Sequence, residues 1–211
     1  MVRTVIYLLA LLAIVSPSNA DDRRSVLFDA VLDFDRDGTA DRAAIILKGK
    51  RDDGWQQEEG YAYPLAGEDQ VELVVFLGAG AEALELSRTP SFRSEFLVDE
   101  RMFSWIQPME VTSKGSLKLN SAYQPGASNT REQTLTLVWR SGEAVVAGYT
   151  IGWETREGAG TCDVNLLSGK AVLIEGIDPS GPAKRLEGSF KPVPLRKWSE
   201  KTRPKVCDEL G

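Results

Sequence analysis

What most constrains this chain is a two-residue rhythm. Short runs of alternating apolar and polar residues follow one another, closed by Gly, Asn, Asp or Ser, with no helical pattern of about 10–15 residues between them. In Ser25–Asp33 the residues Val26, Phe28, Ala30 and Leu32 fall on one face. Ala43–Leu47 and Val71–Phe76 are compact apolar runs. Ser116–Asn120 turns Leu117 and Leu119 inward, and Glu132–Arg140 sets Leu135, Leu137 and Trp139 against Thr134, Thr136 and Val138. Ser141-Gly142 reads as a tight turn into Ala144–Trp153, and Ser168-Gly169 as a second, joining Thr161–Leu167 to Lys170–Ile174. Leu186–Phe190 is the last expected strand.

Helical signals are few. Thr89-Pro90 can start a short helix that carries Phe92 and Phe96 on one side, and Ala79–Leu86 suits either helix or strand. The fold expected is therefore all-β: an antiparallel sandwich or barrel-like sheet with at most one or two short helices.

The amino terminus has the form of an export signal. Arg3 precedes the apolar run Val5–Val15, and Ser18-Asn19-Ala20 offers small residues for cleavage after Ala20. The run is shorter than the roughly 20 residues that span a bilayer, so no stable membrane insertion is expected. Residues 21–211 then form a single domain in the periplasm or outside the cell. Cys162 and Cys207 are the whole cysteine complement, and in an oxidising compartment they have one possible pairing. That disulfide would tie down a Pro- and Lys/Arg-rich tail and contribute about 4 kcal/mol.

The chain has no histidine, which excludes Ser-His-Asp triads, Cys-His pairs and histidine zinc sites. A net charge of −6 argues against nucleic acid as a partner. The adjacent acids Glu58-Glu59 and Asp99-Glu100 point to opposite faces of any strand and read as solvated surface, and no catalytic constellation stands out. Among the aromatic residues, Trp139 and Trp153 are expected in the sheet core, while Trp55, Tyr61 and Tyr63 are candidates for an exposed contact surface.

One segment carries specific chemistry: Asp33-Phe-Asp35-Arg-Asp37-Gly38-Thr39-Ala-Asp41. Ca²⁺ takes six to eight oxygen ligands at about 2.3–2.6 Å. Alternate carboxylates at Asp33, Asp35 and Asp37 can converge as the loop curls, Gly38 allows the turn, Thr39 can offer its carbonyl, and Asp41 supplies a further carboxylate. Arg36 and Arg42 are expected to point away. An EF-hand is excluded, because its twelfth position is Ala44 instead of Glu and the flanks are strands.

The stretch Leu32–Leu47 resembles the calcium-binding β-hairpin loop of FG-GAP and VCBS-type repeats. The resemblance implies Ca²⁺ held by Asp33, Asp35, Asp37, the Thr39 carbonyl and Asp41. More loosely, an exported domain with this loop and late hairpins is similar to small periplasmic calcium-binding β-proteins, some of them similar to invertebrate-type lysozyme inhibitors. That likeness implies a non-enzymatic, protein-binding role as an inhibitor or immunity protein against a cell-wall hydrolase. No inhibitory residue is carried over, since Ser141-Gly142 is followed by Glu143-Ala144 and Tyr149 stands further along. The alternatives are an envelope carbohydrate-binding module and a carboxylate-based glycan hydrolase. Oligomeric state is not written in the sequence.

Overall fold

The structure is a computed structural model, and it describes residues 25–48, 63–65, 69–80, 84, 86–96, 105–126, 129–178 and 180–210. The signal-like segment, Trp55, Tyr61, Glu58-Glu59 and Asp99-Glu100 lie outside the described residues.

The described chain is all-β. Its strands are β1 (Ser25–Leu32), β2 (Asp41–Lys48), β3 (Tyr63–Pro64), β4 (Gln70–Phe76), β5 (Phe92–Glu95), β6 (Trp105–Ile106) and β7 (Glu110–Val111). They continue with β8 (Leu117–Gly126), β9 (Asn129–Arg140), β10 (Glu143–Glu154), β11 (Ala159–Asn165), β12 (Lys170–Glu175), β13 (Ala183–Glu187) and β14 (Val193–Pro194). Two 3₁₀ turns follow, Leu195–Lys197 and Lys205–Leu210. No helix among the described residues is long and apolar enough to cross a membrane.

The strands form two antiparallel sheets and no closed barrel. The small sheet has the order β1-β2-β4-β5. The large sheet runs β13-β12-β11-β10-β9-β8-β6-β3, with β14 beside β10 and β7 beside β8. One core joins them: Ala43, Ile45, Leu73 and Val75 of the small sheet cluster with Leu117, Leu135, Leu137 and Val146 of the large one. The compact apolar runs are explained by burial on both faces. Ala44, Ile46, Val74 and Phe76 form a second cluster on the far side of the small sheet, against Ala79, Leu84 and Leu86. The described residues between 79 and 86 are thus neither helix nor strand but cover that outer face.

Four local expectations are corrected. Phe92–Glu95 is a strand, not a helix, and pairs with β4. Phe92 and Phe96 share a face at the strand period as well as at the helical one, and both are buried, so pairing with β4 decides. In β1 the register shifts between Val26 and Phe28, so Leu27 is buried and Val26 is left exposed. Tyr63 is buried on β3, against β6, and is no contact surface. The last strand also begins earlier than expected, at Ala183, and Phe190 packs on the core from outside it.

The hairpin turn at Ser141-Gly142 is as expected. Both residues have positive φ, and Arg140 pairs with Glu143. The disulfide Cys162–Cys207 closes a separation of 45 residues and fixes the second 3₁₀ turn beside β11 and β12.

Candidate metal centre

The loop between β1 and β2 begins with a plug. Phe34 is buried and stacks near Trp139, with ring centroids 5.7 Å apart, and Phe92 meets the same indole at 5.8 Å. Anchoring that one apolar residue leaves the acids at 33, 35 and 37 to curl at the rim of the core. The curl needs two left-handed residues in quick succession, Arg36 at φ 65° and Gly38 at φ 88°.

Within the curl each acid braces the backbone ahead of it. Gly38 N–H donates to Asp33 Oδ2 at 3.1 Å, Asp37 N–H to Asp35 Oδ1 at 3.2 Å, and Thr39 N–H to Asp37 Oδ1 at 2.7 Å. One oxygen from each of Asp33, Asp35 and Asp37 lies within 4.8 Å of the others. Oxygens that ligate one Ca²⁺ at about 2.4 Å can stand at most about 5 Å apart, so this spread suits a single ion. Asp33 Oδ1 is buried with no hydrogen-bond partner. A buried anionic oxygen left this way is costly unless a cation or donor meets it. Partial burial holds the Asp35 carboxyl above the usual aspartate range; the Asp37 N–H opposes this, and the charges of Asp41, Asp37 and Asp33 add to it. The group can hold a metal ion, and its donors are all oxygen, the chemistry of a hard cation.

Asp41 stands apart from these three. It is fully buried, and its Oδ2 accepts Phe34 N–H at 2.7 Å and Asp35 N–H at 3.3 Å, while Oδ1 accepts Gly78 N–H at 2.8 Å. Its two oxygens hold the loop closed and tie it to the turn after β4, and Asp41 is not in the group formed by Asp33, Asp35 and Asp37. Thr39 is exposed, with its N–H given to Asp37. Arg36 and Arg42 do point away, to the Lys114 carbonyl at 3.0 Å and to Asp29 respectively.

The Arg36 bond identifies a neighbour that sequence reasoning missed. The turn from Thr112 to Ser116, between β7 and β8, abuts the acidic loop, and a Cβ at Gly115 would lie 3.2 Å from the Asp33 carbonyl oxygen. The loop thus sits where the small sheet meets the large one. Gly115 gives no clue to this in the sequence, since it reads as an ordinary turn glycine. No protein-family model, curated protein or solved structure matches this chain.

Proposed function

We propose that this chain is an exported calcium-binding β-domain in which one Ca²⁺ closes the Asp33–Asp37 loop and locks the small sheet onto the β7–β8 turn. The observation that carries this reading is the buried, unpartnered Asp33 Oδ1 in a group of three carboxylates whose span suits one ion. Asp33, Asp35 and Asp37 supply the carboxylate ligands, with the Thr39 carbonyl beside them as in the FG-GAP and VCBS-type loops. Asp41, engaged by three backbone N–H groups, keeps the frame of the loop. The disulfide fits an oxidising compartment. Calorimetric titration of EGTA-stripped protein with Ca²⁺ tests the site: the account expects one ion per chain, and Asp35→Ala with Asp37→Ala abolishes the heat.

On this reading the ion is structural, and the domain works by binding a protein, with no chemistry of its own. The partner proposed is a cell-wall hydrolase that the domain inhibits, which rests on the likeness to invertebrate-type lysozyme inhibitors. A pull-down from envelope extract is expected to recover a hydrolase in stoichiometric amount. Turnover of purified peptidoglycan by the protein alone would overturn the non-enzymatic role.

A further inference from the structure

The two sheet orders end in four strands, and three of these ends offer little to a further strand. β5 is capped by the first 3₁₀ turn, where Arg196 Nε donates to the Arg93 carbonyl at 3.3 Å. β1 lies beside β7 of the other sheet. β3 has only two residues, and its Pro64 has no N–H to donate. The fourth end is β13, and among the described residues no strand pairs with its outer side. Ala183, Lys184, Arg185 and Glu187 are exposed along it, and the exposed stretch continues through Gly188 and Ser189.

The hydrogen bonds around β12 fix which backbone groups of β13 are open. Gly176 N–H donates to the Ala159 carbonyl at 2.7 Å, toward β11, and Gly188 N–H donates to the Gly169 carbonyl at 2.8 Å, toward β13. Backbone groups alternate in direction along a strand, so the even residues of β12 bond to β11 and the odd ones to β13. Ala171 and Leu173 therefore bond to Leu186 and Lys184. The N–H and C=O groups of Ala183, Arg185 and Glu187 point the other way, out of the sheet. Arg185 and Glu187 stand opposite Val172 and Lys170 on the outer face, while Leu186 is half-buried and packs on the core from the inner one. Glu187 meets Lys170 at 3.9 Å with both side chains well exposed, and Arg185 has no ion-pair partner among the described residues.

We propose that β13 pairs with β13 of a second copy of this chain, antiparallel about a two-fold axis at Leu186, joining two large sheets edge to edge. Paired edges must match odd residue to odd residue, because those residues carry the outward groups. Centred on Arg185, the pairing sets arginine opposite arginine; centred on Glu187, it sets glutamate opposite glutamate. Both are unfavourable. Centred on Leu186, it sets Arg185 opposite Glu187 of the second copy, and symmetry repeats the contact. The same register exchanges backbone hydrogen bonds at residues 185 and 187 and brings the two Leu186 side chains together beside the core. Charges on an edge strand ordinarily keep other strands away. Here opposite signs two positions apart make the edge complementary to itself. β13 is five residues long, so the contact is smaller than a standard interface and a Kd of about 0.1 mM is expected. It lies at the far end of the large sheet from β8, and the pairing does not rest on the calcium reading.

Sedimentation equilibrium of the disulfide-bonded protein, from about 1 μM to about 1 mM, tests this in EGTA and in Ca²⁺. A monomer–dimer equilibrium is expected in both. Arg185→Glu and Glu187→Arg should each weaken it at least about tenfold, with melting temperature unchanged because both side chains are exposed. Arg185→Glu combined with Glu187→Arg in one chain should dimerise as the parent does, since the charges only trade places. Mixing the two single variants should give a one-to-one heterodimer, because one chain then carries two acids on this edge and the other two arginines. A monomer throughout the range would overturn the proposal. So would single variants that dimerise as the parent does, or a mixture no more dimeric than its components.

Discussion

Strand β9 runs between two differently fastened ends. At its Trp139 end the sheets are held by an acidic loop, plugged by Phe34 and framed by Asp41, with three converging carboxylates at its rim. At its Arg131 end a basic tail is bound covalently through Cys162–Cys207, and Arg203 is paired with Asp208. On the proposed function the first fastening is conditional, because a bound cation would draw together carboxylates that otherwise repel one another. The second is unconditional in an oxidising compartment. One core can thus be permanently closed at one end and adjustable at the other.

The largest expected effect breaks the covalent end. Cys162→Ala with Cys207→Ala should cost about 4 kcal/mol in urea unfolding, from a closed loop of 45 residues, while any calcium-induced stabilisation survives. Loss of both together would mean the ends are not separate. Next comes Asp41→Ala, which strands the Phe34, Asp35 and Gly78 N–H groups. It should cost about 3 kcal/mol, and by the same amount with EGTA as with Ca²⁺. If the loss occurs in Ca²⁺ alone, Asp41 is a ligand and not a frame.

Two smaller changes sharpen the contrast. Tyr149→Phe removes a buried hydroxyl that lacks a partner and should leave the protein as stable or more so, by up to about 1 kcal/mol. Arg36→Asn relieves a left-handed residue and should add about 0.5 kcal/mol, less the exposed bond to Lys114. Asp35→Asn works on pH dependence. Because the folded pKa of Asp35 is raised, the metal-free protein gains stability from this group as pH falls from above that value to below the unfolded one. The variant should lose that gain, seen as a flatter melting profile in EGTA across the acid range.

What the sequence could express was local and periodic. Alternation in Glu132–Arg140 correctly sets Leu135 and Leu137 inward, and the Ser141-Gly142 turn needs nothing beyond its own two residues. The lone cysteine pair left one connectivity. What it could not express depends on partners far along the chain. Phe92 and Phe96 satisfy both periods, and only β4 beside them makes a strand. Leu27 turns inward because β1 shifts register against β2. Glu72 is fully buried, with Arg93 Nη1 at 3.4 Å and Lys48 Nζ at 3.9 Å, though it reads as a polar break in an apolar run. In the acidic loop the grouping of Asp33, Asp35 and Asp37 was legible from spacing alone. The bracing by Asp41 was not, since it reaches Gly78 in the turn after β4, 37 residues along the chain.

The account turns on whether a cation fastens the acidic end. Differential scanning calorimetry of the intact, disulfide-bonded protein in EGTA and in excess Ca²⁺ tests this most directly. At free calcium of about 100 times Kd the account predicts about 2.7 kcal/mol of added stability, absent in the Asp35→Ala, Asp37→Ala double variant. Identical melting of the parent protein in both buffers would contradict it.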